Sequence, residues 1–163
     1  ILREPKLPKI TGNFGRTCVA TGTSLHLIEP LGFKIDDKSL KRAGMDYWKD
    51  LDVHYYTNFQ DFLNKNPNAN IYMATTKALN TYSDIKFKDD DFIMFGSEGS
   101  GIPEEILLHY KDNSIRIPML EQYRSLNLSN SVAIVLYEAL RQNSFKGCQM
   151  EGHLHRHSWS EAE

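Results

Sequence analysis

Short β-rich runs alternate with segments of helical spacing along this 163-residue chain. That alternation confines the chain to an α/β architecture, a sheet with helices packed on its faces, because each apolar strand face needs a helix to cover it. Strands are expected at Ile1–Arg3, Leu25–Ile28, Val53–Tyr56, Ile71–Ala74, Phe92–Phe95 and Ile115–Ile117. Helix ends are marked between them. Asp36 or Asp37 can cap a segment stopping at Gly44, Asn58 can cap the next, and Pro103 suits a first helical position. Leu128, Val132, Val135, Leu136, Ala139 and Leu140 fall on one helical stripe. Ile134 and Tyr137 widen that stripe beyond what one core needs, leaving open whether it packs inward only or also against a second subunit.

With 40% hydrophobic and 25% charged residues, the chain has the makings of one compact core. The expected division is a single domain over residues 1–146 and a polar, disordered tail over 147–163. That tail holds His153, His155 and His157, whose spacing fits a frayed terminus better than a metal site. Two cysteines, Cys18 and Cys148, are too few for a disulfide framework or a multi-cysteine zinc site. Neither a run of about 20 apolar residues nor a signal-peptide layout is evident, so a soluble, cytoplasmic protein without membrane or metal partners is expected. The net charge of -2 leaves nucleic-acid binding open, since binding depends on local patches.

Four segments combine glycine or small polar residues with strand ends, where open α/β sheets bind ligands. Thr11 to Arg16 reads as a glycine-bearing loop in which Arg16 offers fixed donors to a phosphate or oxyanion. Lys34, Lys38, Lys41 and Arg42 form the densest basic cluster, either a solvated helix face or a phosphate-docking patch. Phe92 to Pro103 runs from an apolar strand through Gly96, Gly99 and Gly101 into a helix. Its Gly-x-x-Gly-x-Gly spacing is neither a dinucleotide fingerprint nor a P-loop, and Glu98 at its centre disfavours phosphate while suiting a cation, amine or sugar hydroxyl. The fourth segment leads from Ile115 to Met119 into Tyr123 to Asn130, where Ser125, Asn127 and Ser129 compete as helix caps.

Taken in order, these segments resemble the small SPOUT RNA 2'-O-methyltransferases, and the likeness covers nearly the whole chain. Thr11-Gly12-Asn13 to Arg16, Ile28 to Phe33 and Asp36 to Tyr47 are similar to the group acting on the wobble nucleotide of tRNA. Phe95 to Pro103, Arg116 to Met119 and Ser125 to Asn130 are similar to the motifs of the wider superfamily. Phe14-Gly15 departs from the aliphatic or small pair usually found before the arginine.

The resemblance implies a Rossmann-like, mostly parallel sheet with a C-terminal deep trefoil knot, and a homodimer whose interface includes the helix after Arg16 and the C-terminal helix. It implies S-adenosyl-methionine as methyl donor, leaving as S-adenosyl-homocysteine. The donor would be held by Ala74, Thr75, Gly96, Glu98, Gly101, Ile117, Met119, Leu120, Ser125 and Leu126. Arg16, Ser125 and Asn127 are the implied catalytic group, with Arg16 docking phosphate and stabilising the developing oxyanion. Arg16, Lys38, Lys41 and Arg42 are the expected RNA contacts. The implied reaction is 2'-O-methylation of cytidine or uridine 34 of tRNA. Another RNA such as ribosomal RNA, or a non-catalytic RNA- or nucleotide-binding module, stands as the alternative.

Overall fold

A computed structural model describes residues 1–42, 44 and 46–162. Ala43 and Met45, within one of the stretches compared above, lie outside the described residues. The strands are β1 Leu2–Arg3, β2 Leu25–Ile28, β3 Val53–Tyr56, β4 Ile71–Ala74, β5 Asn80–Thr81, β6 Phe92–Phe95 and β7 Ser114–Arg116. The helices are α1 Pro8–Thr21, α2 Asp37–Arg42, α3 Phe59–Lys65, α4 Glu104–Leu108 and α5 Leu128–Gln142.

All strand pairs are parallel, in the order β3-β2-β1-β6-β4-β7-β5. Parallel strands in the middle of such a sheet are covered on both faces, which is why all four residues of β2 are buried. Leu25 and Leu27 join Phe14, Cys18, Trp48, Phe95, Val132 and Val135 beneath α1 and α5. Ile28, Tyr56, Phe62, Met73, Met94 and Ile102 form the opposite layer, beneath α3 and α4. His26, between Leu25 and Leu27, is buried and shares a 2.8 Å hydrogen bond from its Nδ1 with the Tyr56 hydroxyl. Burial holds its pKa down at about 4, so it is a neutral core histidine near pH 7.

The segment from Thr11 to Arg16, expected as a loop, lies inside α1. Pro8 starts that helix, and Gly22, in the left-handed region at φ 66°, ends it. Gly15 serves packing rather than turning: an ideal Cβ there would stand 3.1 Å from the Trp48 ring and 3.2 Å from Leu51, so these neighbours would have to give way by a few tenths of an ångström. Asn58 caps α3, accepting from Asp61 N–H at 2.8 Å. Asp36 Oδ1 accepts from Ser39 N–H at 2.7 Å at the start of α2. Pro103 stands one residue before α4 rather than at its first position. Of the tail, residues 149–162 are exposed and carry one 3-10 turn, Trp159–Glu161, capped by Ser158.

Candidate active site

The carboxyl ends of β4, β6 and β7 open into a cavity of about 670 Å3. This is where a parallel sheet leaves room for a ligand, since the chain departs from neighbouring strands in different directions. Its wall after β6 is the glycine loop. An ideal Cβ on Gly96 would lie 2.1 Å from the Gly101 carbonyl carbon, and Gly101 N–H donates to Ser97 O at 3.0 Å, folding the loop back on itself. The wall after β4 is fixed by Thr75 N–H donating to Ile115 O at 2.9 Å, and by a 2.9 Å ion pair between Lys77 and Glu104. The partnership with Lys77 lowers the Glu104 pKa.

Of the residues expected to hold a methyl donor, Ala74, Thr75, Gly96, Glu98, Gly101, Ile117, Met119, Ser125 and Leu126 all line this cavity. Leu120 does not line it and is 67% exposed. Glu98 Oε2 accepts from Lys6 N–H at 3.0 Å, whereas its Oε1 is buried without a hydrogen-bond partner among the described residues. A buried carboxylate oxygen left unpaired costs free energy unless a ligand donor or cation meets it.

Arg16 and Asn127 stand outside the lining. Asn127 caps α5, accepting from Asn130 N–H at 3.3 Å. Arg16 is exposed on α1, its guanidinium carbon 5.9 Å from the centre of the Tyr47 ring. The Tyr47 hydroxyl donates to Gly12 O, and burial raises its pKa against the opposing pull of the Arg16 charge. Lys38, Lys41 and Arg42 lie on α2, away from the cavity lining.

The cavity also has walls that no local sequence pattern assigns to it. Ile10 comes from α1, Ser131 and Val135 from one face of α5 four residues apart, and Arg124 from the segment before that helix. Arg124 forms no ion pair among the described residues. Its place beside Ser125 is the one signal in the sequence that points to it. Among the described residues, no cluster of potential metal ligands is found.

Residues 1–137 match the SpoU rRNA Methylase family. The chain belongs to that family. An Aeromonas hydrophila relative named tRNA (cytidine(34)-2'-O)-methyltransferase is 43% identical over 152 residues, covering 93% of this chain and 97% of its own. A solved structure described as "Structural insights into the 2-OH methylation of C/U34 on tRNA" superposes with a TM-score of 0.82 at 38% identity, over 88% of this chain and 93% of that one. An AdoMet-bound rRNA methyltransferase from Sinorhizobium meliloti superposes with a TM-score of 0.72 at 27% identity, over 86% of this chain and 54% of that one.

Proposed function

We propose that this chain methylates the 2'-hydroxyl of nucleotide 34, a cytidine or uridine, in tRNA, with S-adenosyl-methionine as donor. The observation that carries the reading is the cavity, which gathers the glycine loop, Ile117, Met119, Ser125 and Leu126 at the strand ends. The donor fits it in size and chemistry. About 670 Å3 lies in the range of small-molecule sites, aliphatic side chains offer an apolar slot, and the unpaired Glu98 oxygen suits a ligand that carries positive charge.

When bound, the donor supplies an electrophilic sulfonium methyl group. Transfer to a ribose oxygen held in line with that methyl would break the methyl–sulfur bond as the C–O bond forms, release S-adenosyl-homocysteine and pass the hydroxyl proton to water, and the chain's own residues serve positioning. Arg16 docks the adjoining phosphate and stabilises negative charge developing on the oxygen, since an arginine keeps its proton near neutral pH. Ser125 orients the ribose from the cavity wall, and Asn127 fixes the start of α5 beneath it. The whole reaction is assigned to residues 1–146 in the cytoplasm.

Incubating the protein with labelled donor and a mixed tRNA pool, followed by nuclease mapping, tests the reading. Label at the 2'-oxygen of nucleotide 34 is expected. Label elsewhere, or only in ribosomal RNA, would replace the substrate, and no label together with no calorimetric donor binding would remove the activity.

The proposal extends to a trefoil knot. Its support is that β7 lies between β4 and β5, which are joined by the short link 75–79, so the chain after Arg116 leaves the sheet between two strands tied together. It extends also to a homodimer, supported by the exposed Ile134 and Tyr137 on α5. Sedimentation at micromolar protein is expected to give twice the 18.8 kDa chain mass, and a monomer mass rejects the dimer.

The α2 cluster is assigned to the RNA backbone. Replacing Lys38, Lys41 and Arg42 together by alanine is expected to weaken tRNA binding and to flatten its log-log salt dependence by about 0.7 to 0.9 for each phosphate no longer neutralised. Donor affinity should not change, because none of the three lines the cavity. An unaltered salt slope would reduce the cluster to a solvated helix face.

A further inference from the structure

A second, shallower groove of about 690 Å3 opens beside the cluster, at the carboxyl ends of β2 and β3. Pro30, Leu31, Phe33, Ile35 and Tyr55 give it an apolar and aromatic surface, with Glu29, Lys34 and Asp36 at its polar edge. Tyr55 is 41% exposed there although it sits within a strand. The Glu29 carboxylate forms no ion pair among the described residues.

This groove is tied to the catalytic cavity through one short segment. Gly32 N–H donates to Pro5 O at 2.8 Å, and an ideal Cβ on Gly32 would lie 2.7 Å from Lys6 O, so the backbones pass directly against each other. On its other side, Lys6 N–H donates to Glu98 of the cavity. β2 and β6 flank β1, so the nearest strand ends beneath the two sites are about 10 Å apart at roughly 4.8 Å per strand spacing, and the β3 end that carries Tyr55 is one spacing further. Adjacent nucleotides of an unstacked strand span such a distance.

We propose that this groove receives an unstacked base next to the methylated nucleotide, seated on Tyr55 and Phe33, with Glu29 accepting a hydrogen bond from its amino group. The inference rests on the tRNA reading above. An aromatic surface beside Lys34, Lys38 and Lys41 suits single-stranded RNA, because base stacking and phosphate neutralisation are supplied side by side. A protein partner would find the same apolar floor but no use for the cations of α2, which follows the groove in the chain. Carboxylates accept from exocyclic amines of bases, so the groove should favour a base that carries one.

The test uses an anticodon stem-loop and its variants with an abasic site at each nucleotide flanking position 34, bound to the full chain and to Tyr55→Ala and Tyr55→Phe. Tyr55→Ala is expected to weaken binding of the intact RNA about tenfold or more, the range of one stacked base. Tyr55→Phe should retain parental affinity. One abasic RNA should bind the parent as weakly as the intact RNA binds Tyr55→Ala, with no further loss when the two changes are combined. Equal losses from Tyr55→Ala for every RNA, or parental binding of every abasic RNA, would overturn the proposal. The abasic arm uses the parent protein and so does not depend on how the variant folds. Binding decides the groove, while methyl transfer to the intact stem-loop decides the enzymatic reading. A parent that binds with this coupling but transfers no methyl loses only the latter.

Discussion

Arg16→Ala will lower methyl transfer to tRNA by about a hundredfold or more while leaving donor affinity within about twofold. The rate loss follows from the role proposed for Arg16, a donor to charge that develops in the transition state, where a single such group typically contributes about two to three orders of magnitude. The unchanged affinity follows from position, because Arg16 does not line the cavity where the donor is assigned. The fold should tolerate the change, since the side chain is exposed and approaches the Tyr47 ring only loosely, at 5.9 Å. Arg16→Lys should recover only part of the rate, because an ammonium keeps the charge but loses the planar fork. Single-turnover rates and calorimetric donor titrations on the same preparations check this. Parallel loss of both quantities would place Arg16 in the donor site, and an unchanged rate would remove it from the reaction.

Strands buried in the middle of the sheet are legible in the sequence because burial on both faces demands an unbroken apolar run. Leu25–Ile28, Ile71–Ala74 and Phe92–Phe95 stand at the expected bounds. Val53–Tyr56 does so too, although it is an edge strand with His54 and Tyr55 exposed, because Val53, Tyr55 and Tyr56 are strand formers. β7 begins one residue earlier than expected, at Ser114, whose hydroxyl donates to Tyr110 O. β5 has no local signature: Asn80 and Thr81 carry no apolar signal and become a strand through pairing with Ile115 and Arg116. The centre of α1 reads as a loop because Gly12 and Gly15 act locally as turn formers. Only the packing of Gly15 against Trp48 and Leu51, distant in sequence, explains small residues inside a helix.

The same division holds in the candidate site. The glycine loop is visible because three glycines after an apolar strand have few structural uses, and Glu98 among them shapes the expected ligand. Ile10 is hidden by the loop-like composition that follows it in α1, and Ser131 by its place beside Leu128 and Val135, which read as plain core. The groove at Tyr55 is invisible for another reason. Its floor joins the segment after β2 to a residue of β3, and no local pattern reports that two strand ends lie side by side.

The second large effect is expected at Gly96, where alanine should weaken donor affinity more than about tenfold and reduce donor stabilisation of the fold accordingly. Besides the Gly101 carbonyl carbon at 2.1 Å, the added methyl would meet the Gly101 oxygen and the Ile102 nitrogen, each at 2.4 Å. All three are backbone atoms, so no side chain can rotate away and the loop itself must open. Opening it breaks the hydrogen bond from Gly101 N–H to Ser97 O and displaces the stretch from Ser97 to Gly101 that forms the cavity wall. Overpacking of this kind costs folds about 1 to 3 kcal/mol, so the variant should remain folded with a lowered melting temperature. Donor binding should bear the larger loss because the donor is assigned to the loop's backbone, on which the two core layers do not depend. Gly152→Ala is the control: nothing lies within 4 Å of a Cβ built there, and the residue is exposed in the tail. Thermal denaturation of both variants with and without S-adenosyl-homocysteine separates the effects, since a ligand that binds only the native state raises the melting temperature according to its affinity and concentration. A Gly96→Ala protein stabilised by the ligand as strongly as the parent would mean that the donor does not touch this loop.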